Sequence, residues 1–99
     1  MKLIIAIVRP FTLDRIVVAF EDIERFPGMN IVDSEGFGQE LRINPNDALN
    51  PFKPNKRLEI ACNEDMVEEI VEAIRSHAHT GKKGDGIILV LPIENAVLI

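Results

Sequence analysis

Apolar positions along this chain follow two rhythms, and the switches between them outline the fold. Leu3 to Val8 is an unbroken aliphatic run, as in a strand covered on both faces or set at an oligomer interface, and Arg9-Pro10 ends it. Leu13, Ile16, Val17, Phe20 and Ile23 then recur at helical spacing, with Thr12 placed as the cap and Asp14 in the first turn; this predicts a helix to about Arg25. Pro27-Gly28 marks a turn, and Asn30 to Phe37 reads as a second strand closed by Gly36 and Gly38. From Gln39 to Lys56 the chain holds Pro45, Pro51 and Pro54 with several Asn and no periodicity, which predicts a long loop, about 39–56. Arg57 to Cys62 reads as a third strand. Asn63 is placed to cap a second helix, with Glu64 and Asp65 at its positive end and Val67, Ile70, Val71, Ile74 and Ala78 as its buried stripe. Gly81 is expected to stop that helix, Ile87 to Leu91 to form a fourth strand, and Pro92 to bend the chain into a short tail.

The order strand, helix, strand, strand, helix, strand is the ferredoxin-like βαββαβ arrangement, an α+β fold with both helices on one face of an antiparallel sheet. With 99 residues there is room for one core, hence a single domain over 1–99. A domain this small leaves the other, aliphatic sheet face open to water, so a homo-oligomer is expected. A structureless loop as long as 39–56 is uncommon in a compact domain and is usually functional.

Charge and composition narrow the partners. Eleven Lys and Arg against sixteen Asp and Glu give a net charge of −5, which argues against nucleic acid as a partner. No apolar run reaches the roughly 20 residues of a membrane-spanning helix, and no signal-peptide pattern is present, so no membrane insertion and a cytoplasmic location are expected. Cys62 has no second Cys to pair with and reads as a small buried residue. His77 and His79, two apart, point to different sides of a helix and fit its negative end better than a metal. Glu64, Asp65, Glu68, Glu69 and Glu72 decorate an outer helix face. No nucleophile stands with a paired base, and no acid/base pair is evident, so the expectation is a non-enzymatic protein.

Three segments, in the right order and elements, resemble the PII signal-transduction family across nearly the whole chain. They are Ile5-Ala6-Ile7-Val8-Arg9-Pro10-Phe11 with Leu13-Asp14; Gly28-Met29-Asn30 leading into Gly36-Phe37-Gly38; and Thr80-Gly81-Lys82-Lys83-Gly84-Asp85-Gly86, which is similar to the family's phosphate-binding B-loop. The glycines of that last segment let backbone N–H groups converge on an anion while Lys82 and Lys83 supply charge. The resemblance implies a cytoplasmic homotrimer that senses an adenine nucleotide or other small effector in clefts between subunits. It further implies regulation of a protein target, a transporter, enzyme or regulator, through the long loop. The nucleotide site it implies comprises Asn30, Gly36, Phe37, Gly38, Gln39, Glu59, Ala61, Gly81, Lys82, Lys83, Gly84, Asp85 and Gly86, with Asn30, Glu59 and Ala61 around the base; ADP, AMP, ATP or a cyclic nucleotide are the candidate ligands, with magnesium.

Several positions depart from the family pattern. Gln39 and Glu40 stand where it has an Arg and a Gln; its lysine for 2-oxoglutarate falls on or next to Asn55, with Lys56 one position away; Ile87 stands where a basic residue follows Gly-Asp-Gly, and Leu98 at the first C-terminal arginine. Each charge-assisted phosphate contact contributes about 1.5–3 kcal/mol, so a triphosphate should bind more weakly here. The chain has no Tyr, so the family's tyrosine modification is excluded. Leu49, Phe52 and Lys53 are the loop residues expected to meet a partner. Two other readings follow from the fold and the missing charges: a trimeric metal-tolerance protein of the CutA-like kind, and an assembly module that has lost nucleotide binding.

Overall fold

The computed structural model describes residues 1–38 and 51–99. Four strands, β1 (Lys2–Val8), β2 (Asn30–Phe37), β3 (Phe52–Cys62) and β4 (Gly86–Pro92), form one antiparallel sheet in the order β2-β3-β1-β4. Two helices, α1 (Leu13–Glu21) and α2 (Val67–Ala78), pack on one face of it. This is the ferredoxin-like arrangement that the order of elements predicts.

Strand alternation decides what goes where. Ile4, Ala6 and Val8 of β1 and Leu58, Ile60 and Cys62 of β3 point toward the helices and meet Ile16, Phe20, Ile70, Ile74 and Ala78 in a single core. Each fully buried Ile or Leu contributes about 1.5–3 kcal/mol. Burial also pushes the Cys62 thiol above its ordinary pKa, with the Asp65 charge adding to the effect, so the thiol stays protonated. Within the predicted stripe of α2, Ile70, Ile74 and Ala78 are buried, whereas Val67 and Val71 pack half-exposed at its margin. The opposite sheet face carries Leu3, Ile5 and Ile7 between Arg57, Glu59 and Ala61 on one side and Ile87, Leu89 and Leu91 on the other. The last three are 52, 41 and 38% exposed, which makes this face an apolar surface.

Several element boundaries differ from the sequence expectation. The third strand begins at Phe52 rather than Arg57, so residues 52–56 of the expected loop are paired with β2. Pro54 is tolerated there because β1 reaches only to Val8 opposite Lys56; beyond that point β3 has a neighbour on one side alone, where a missing N–H costs least. Helix α1 ends at Glu21 instead of Arg25. Its last turn tightens, Ile23 N–H donating to Phe20 O at 3.0 Å, and Arg25 turns left-handed at φ 62° ahead of Phe26-Pro27. Phe26 folds back to stack on Phe20 with ring centroids 4.4 Å apart. Neither Thr12 nor Asn63 makes a side-chain cap; each helix is entered through a short 3-10 turn, Pro10–Thr12 and Glu64–Met66. Helix α2 stops at Ala78, before Gly81, and Pro92 closes β4 opposite Lys2 instead of bending away.

Candidate functional site

The segment between α2 and β4 is built around one carboxylate. Asp85 accepts from the Thr80 N–H at 2.7 Å through Oδ2 and from the Thr80 hydroxyl through Oδ1, closing the turn on itself. These bonds, chiefly that from the hydroxyl, hold the Asp85 pKa below its ordinary value, and the nearby Arg9 and His79 act in the same direction while burial opposes them. Gly81, Gly84 and Gly86 occupy φ values of 84°, 82° and 133°, a region in which a Cβ is strained. Gly86 is also an obligate close approach, since a Cβ there would lie 2.0 Å from the carbonyl oxygen of Ile7.

Arg9 completes the loop from outside. Strand β1 pairs Val8 with Gly86, so the residue after Val8 comes opposite the residue before Gly86. Its Nε donates to Gly84 O at 2.9 Å and its Nη2 to Lys83 O at 2.6 Å, and Nε lies 3.8 Å from Asp85 Oδ1. Lys83 and Gly84 form a tight turn that directs the Asp85 N–H back toward the Lys82 carbonyl, the Gly84 N–H has no hydrogen-bond partner among the described residues, and Lys82 and Lys83 are exposed beside it. An outward amide and two ammonium groups suit an anion of phosphate type. Among the described residues no three His, Cys, Asp or Glu converge on a metal position. His77 Nδ1 instead lies 2.8 Å from Ala73 O, and His79 Nδ1 lies 3.8 Å from Asp85.

The other residues expected at the site fall into two groups. At the same end of the sheet, the β2–β3 hairpin runs past β1 and carries Gly36 opposite Lys53 and Phe37 opposite Phe52, the two rings 5.7 Å apart, with Gly38 just beyond. Lys53 and Asn55 come close enough to Arg9, Phe11 and Gly84 to line a cavity of about 150 Å³ with them. Asn55 is buried; in the amide orientation that matches donors to acceptors, its nitrogen donates to Pro54 O at 3.1 Å and its oxygen accepts from Gly36 N–H at 3.2 Å. It braces the hairpin. Asn30 and Glu59 face each other farther along the sheet, Glu59 taking Arg57 Nε at 3.0 Å, and Ala61 lies beyond them opposite Leu3. All three sit on the open face, three to five register steps from Gly86, so a single chain does not bring them to the loop. Gln39, Glu40 and Leu49 lie outside the described residues. Arg9 and Thr80 are the loop's supports that the sequence expectation left out; the register neighbour of a B-loop acid was the available signal.

Two helices on one face of a four-stranded antiparallel sheet, with a glycine-shaped loop between the second helix and the last strand, place the chain among small ferredoxin-like α+β proteins. Comparison with known proteins names the family within that class. The family model for nitrogen regulatory protein P-II matches residues 1–99. A nitrogen regulatory protein P-II of Azospirillum brasilense is 34% identical over 103 residues, spanning all of this chain and 91% of its own length. The corresponding protein of Bradyrhizobium diazoefficiens is 35% identical with the same coverage. A nitrogen fixation nifHD region GlnB-like protein 1 of Methanothermococcus thermolithotrophicus is 38% identical over 99 residues, covering all of this chain and 93% of the relative. The chain belongs to the nitrogen regulatory protein P-II family, whose members are trimeric signal-transduction proteins, regulatory rather than enzymatic. Neither a CutA-like metal-tolerance protein nor an assembly module is supported by these matches. No helix among the described residues is long and apolar enough to cross a membrane.

Proposed function

We propose that this chain forms a cytoplasmic homotrimer that senses an adenine nucleotide in the clefts between its subunits and relays occupancy to a protein target, without catalysing a reaction. The observation that carries this reading is the 80–86 loop, whose three left-handed glycines and pinned Asp85 leave the Gly84 N–H unpartnered among the described residues, beside Lys82 and Lys83. Asn30, Glu59 and Ala61, on the open face of one subunit, are assigned to the base of a nucleotide whose phosphates lie on the loop of the next. Gly36, Phe37, Gly38 and Gln39 sit at the root of the segment that responds, and Leu49, Phe52 and Lys53 are its contact residues for the target.

Isothermal titration with ATP, ADP and AMP, each with and without magnesium and 2-oxoglutarate, tests the reading. One nucleotide bound per subunit is the expected result, with ADP or AMP favoured over ATP because the basic residues that would meet a γ-phosphate are replaced. Silence from all three nucleotides removes the sensor reading.

A further inference from the structure

We infer that Arg9 is the positioning residue of the phosphate-binding loop, a clasp that holds the turn closed and its Gly84 amide outward and is not itself a ligand for the anion. The inference rests on the nucleotide-sensing reading above for what the loop binds, and on the geometry of this chain for how the loop is held.

A trans peptide fixes its C=O and the following N–H on opposite sides of one plane. When Arg9 draws the Lys83 carbonyl toward itself, the N–H of Gly84 must point the other way, and its hold on the Gly84 carbonyl keeps the Asp85 N–H turned in toward Lys82. Gly84, at φ 82°, joins the two peptides in a left-handed conformation that a residue with a Cβ rarely adopts. The result is a fixed, outward Gly84 N–H beside the ammonium groups of Lys82 and Lys83, a donor set that suits an anion. The guanidinium suits this work because Nε and Nη2 lie on one rigid edge and reach adjacent acceptors together, which an ammonium cannot do.

The clasp is anchored at its own base. Pro10 follows Arg9 and fixes the chain direction, while the Arg9 carbonyl accepts from Thr12 N–H at 3.1 Å and from the Thr12 hydroxyl at 2.8 Å. With Nε and Nη2 committed to carbonyls and the Asp85 carboxylate 3.8 Å away, Arg9 is held within the protein, its side chain 16% exposed. Lys82 and Lys83, both exposed, are left as the loop's charges available to the anion.

The test compares native protein with Arg9→Lys and Arg9→Met by ¹⁵N relaxation and by ADP and AMP titration. In the native protein the Gly84 and Asp85 amides should show order parameters near ~0.85, falling toward ~0.6 in both variants. Nucleotide affinity should drop about tenfold or more in both, the lysine charge giving no rescue, since each variant loses charge-assisted bonds to the loop. A lysine variant that binds like the native protein overturns the clasp, because charge alone then suffices. Lost binding with unchanged loop order also overturns it, because Arg9 then touches the ligand directly. If native protein binds no nucleotide, the functional reading fails while the relaxation comparison still decides the clasp. Should either variant fail to fold, proton exchange at Arg9 Nε in native protein decides the matter: slow exchange is expected, and exchange as fast as that of free arginine overturns the proposal.

Discussion

Gly86 is the position at which one added methyl does most harm. Its φ of 133° and the 2.0 Å that would separate an added Cβ from the Ile7 carbonyl oxygen both forbid a side chain, and the obstacle is backbone of the central strand, which cannot step aside. Gly86→Ala should therefore cost about 3 kcal/mol or more of stability, measured by urea unfolding. Asp85 gives a pH signature. Its folded pKa is depressed, so the stability it contributes is present above its ordinary value of 3.8 and is lost as pH falls through the lower folded value. The difference in urea midpoint between native protein and Asp85→Asn should accordingly be largest at neutral pH and shrink below about pH 3.8. At this scale the sequence was legible wherever a residue's chemistry is local. The glycines and lysines of the loop are contiguous and could be seen together; Arg9 lies 75 positions from Gly84, and only strand register joins them.

Among the elements, α2 bears on the core through a narrow stripe, and substitutions on it should separate sharply from those on outer faces. Ile74→Ala empties a fully buried site between α2 and the sheet and should cost about 2–5 kcal/mol, whereas Val18→Ala, at a position 60% exposed on α1, should stay within about 0.5 kcal/mol; chemical denaturation of both variants makes the comparison. Strand β1 and the stripe of α2 were readable because their patterns arise from burial, which the order of apolar residues records directly; β2 and β4 hold no buried residue and were readable as apolar stretches bounded by Gly and Pro. The first part of β3 was not. Its proline argues against a strand unless one knows that β1 stops short there, a fact about the neighbour rather than the segment. The helix ends were misjudged for a related reason: Ile23 keeps the helical rhythm and is buried, yet it reaches the core from a tightened turn.

For the molecule as a whole, the open sheet face sets the behaviour in solution. Leu89 stands opposite Ile5 at its middle, and Leu89→Asp should reduce the proposed assembly from three copies of the 11.1 kDa chain to one, read by sedimentation velocity. The sites share this dependence, since Asn30, Glu59 and Ala61 lie on that face and the loop lies at its end. Interleaving of the strands has a further consequence. β1, from the first part of the chain, is inserted between β3 and β4, from the last part, and pairs with both along all seven of its residues. The two parts are thus halves of one zipper rather than successive layers. Peptides covering 1–38 and 51–99, made separately, should find each other and rebuild the sheet, giving strand-rich circular dichroism on mixing that neither shows alone. Reassembly would mean that the strand pairing, rather than the covalent order of the two parts, closes the sheet.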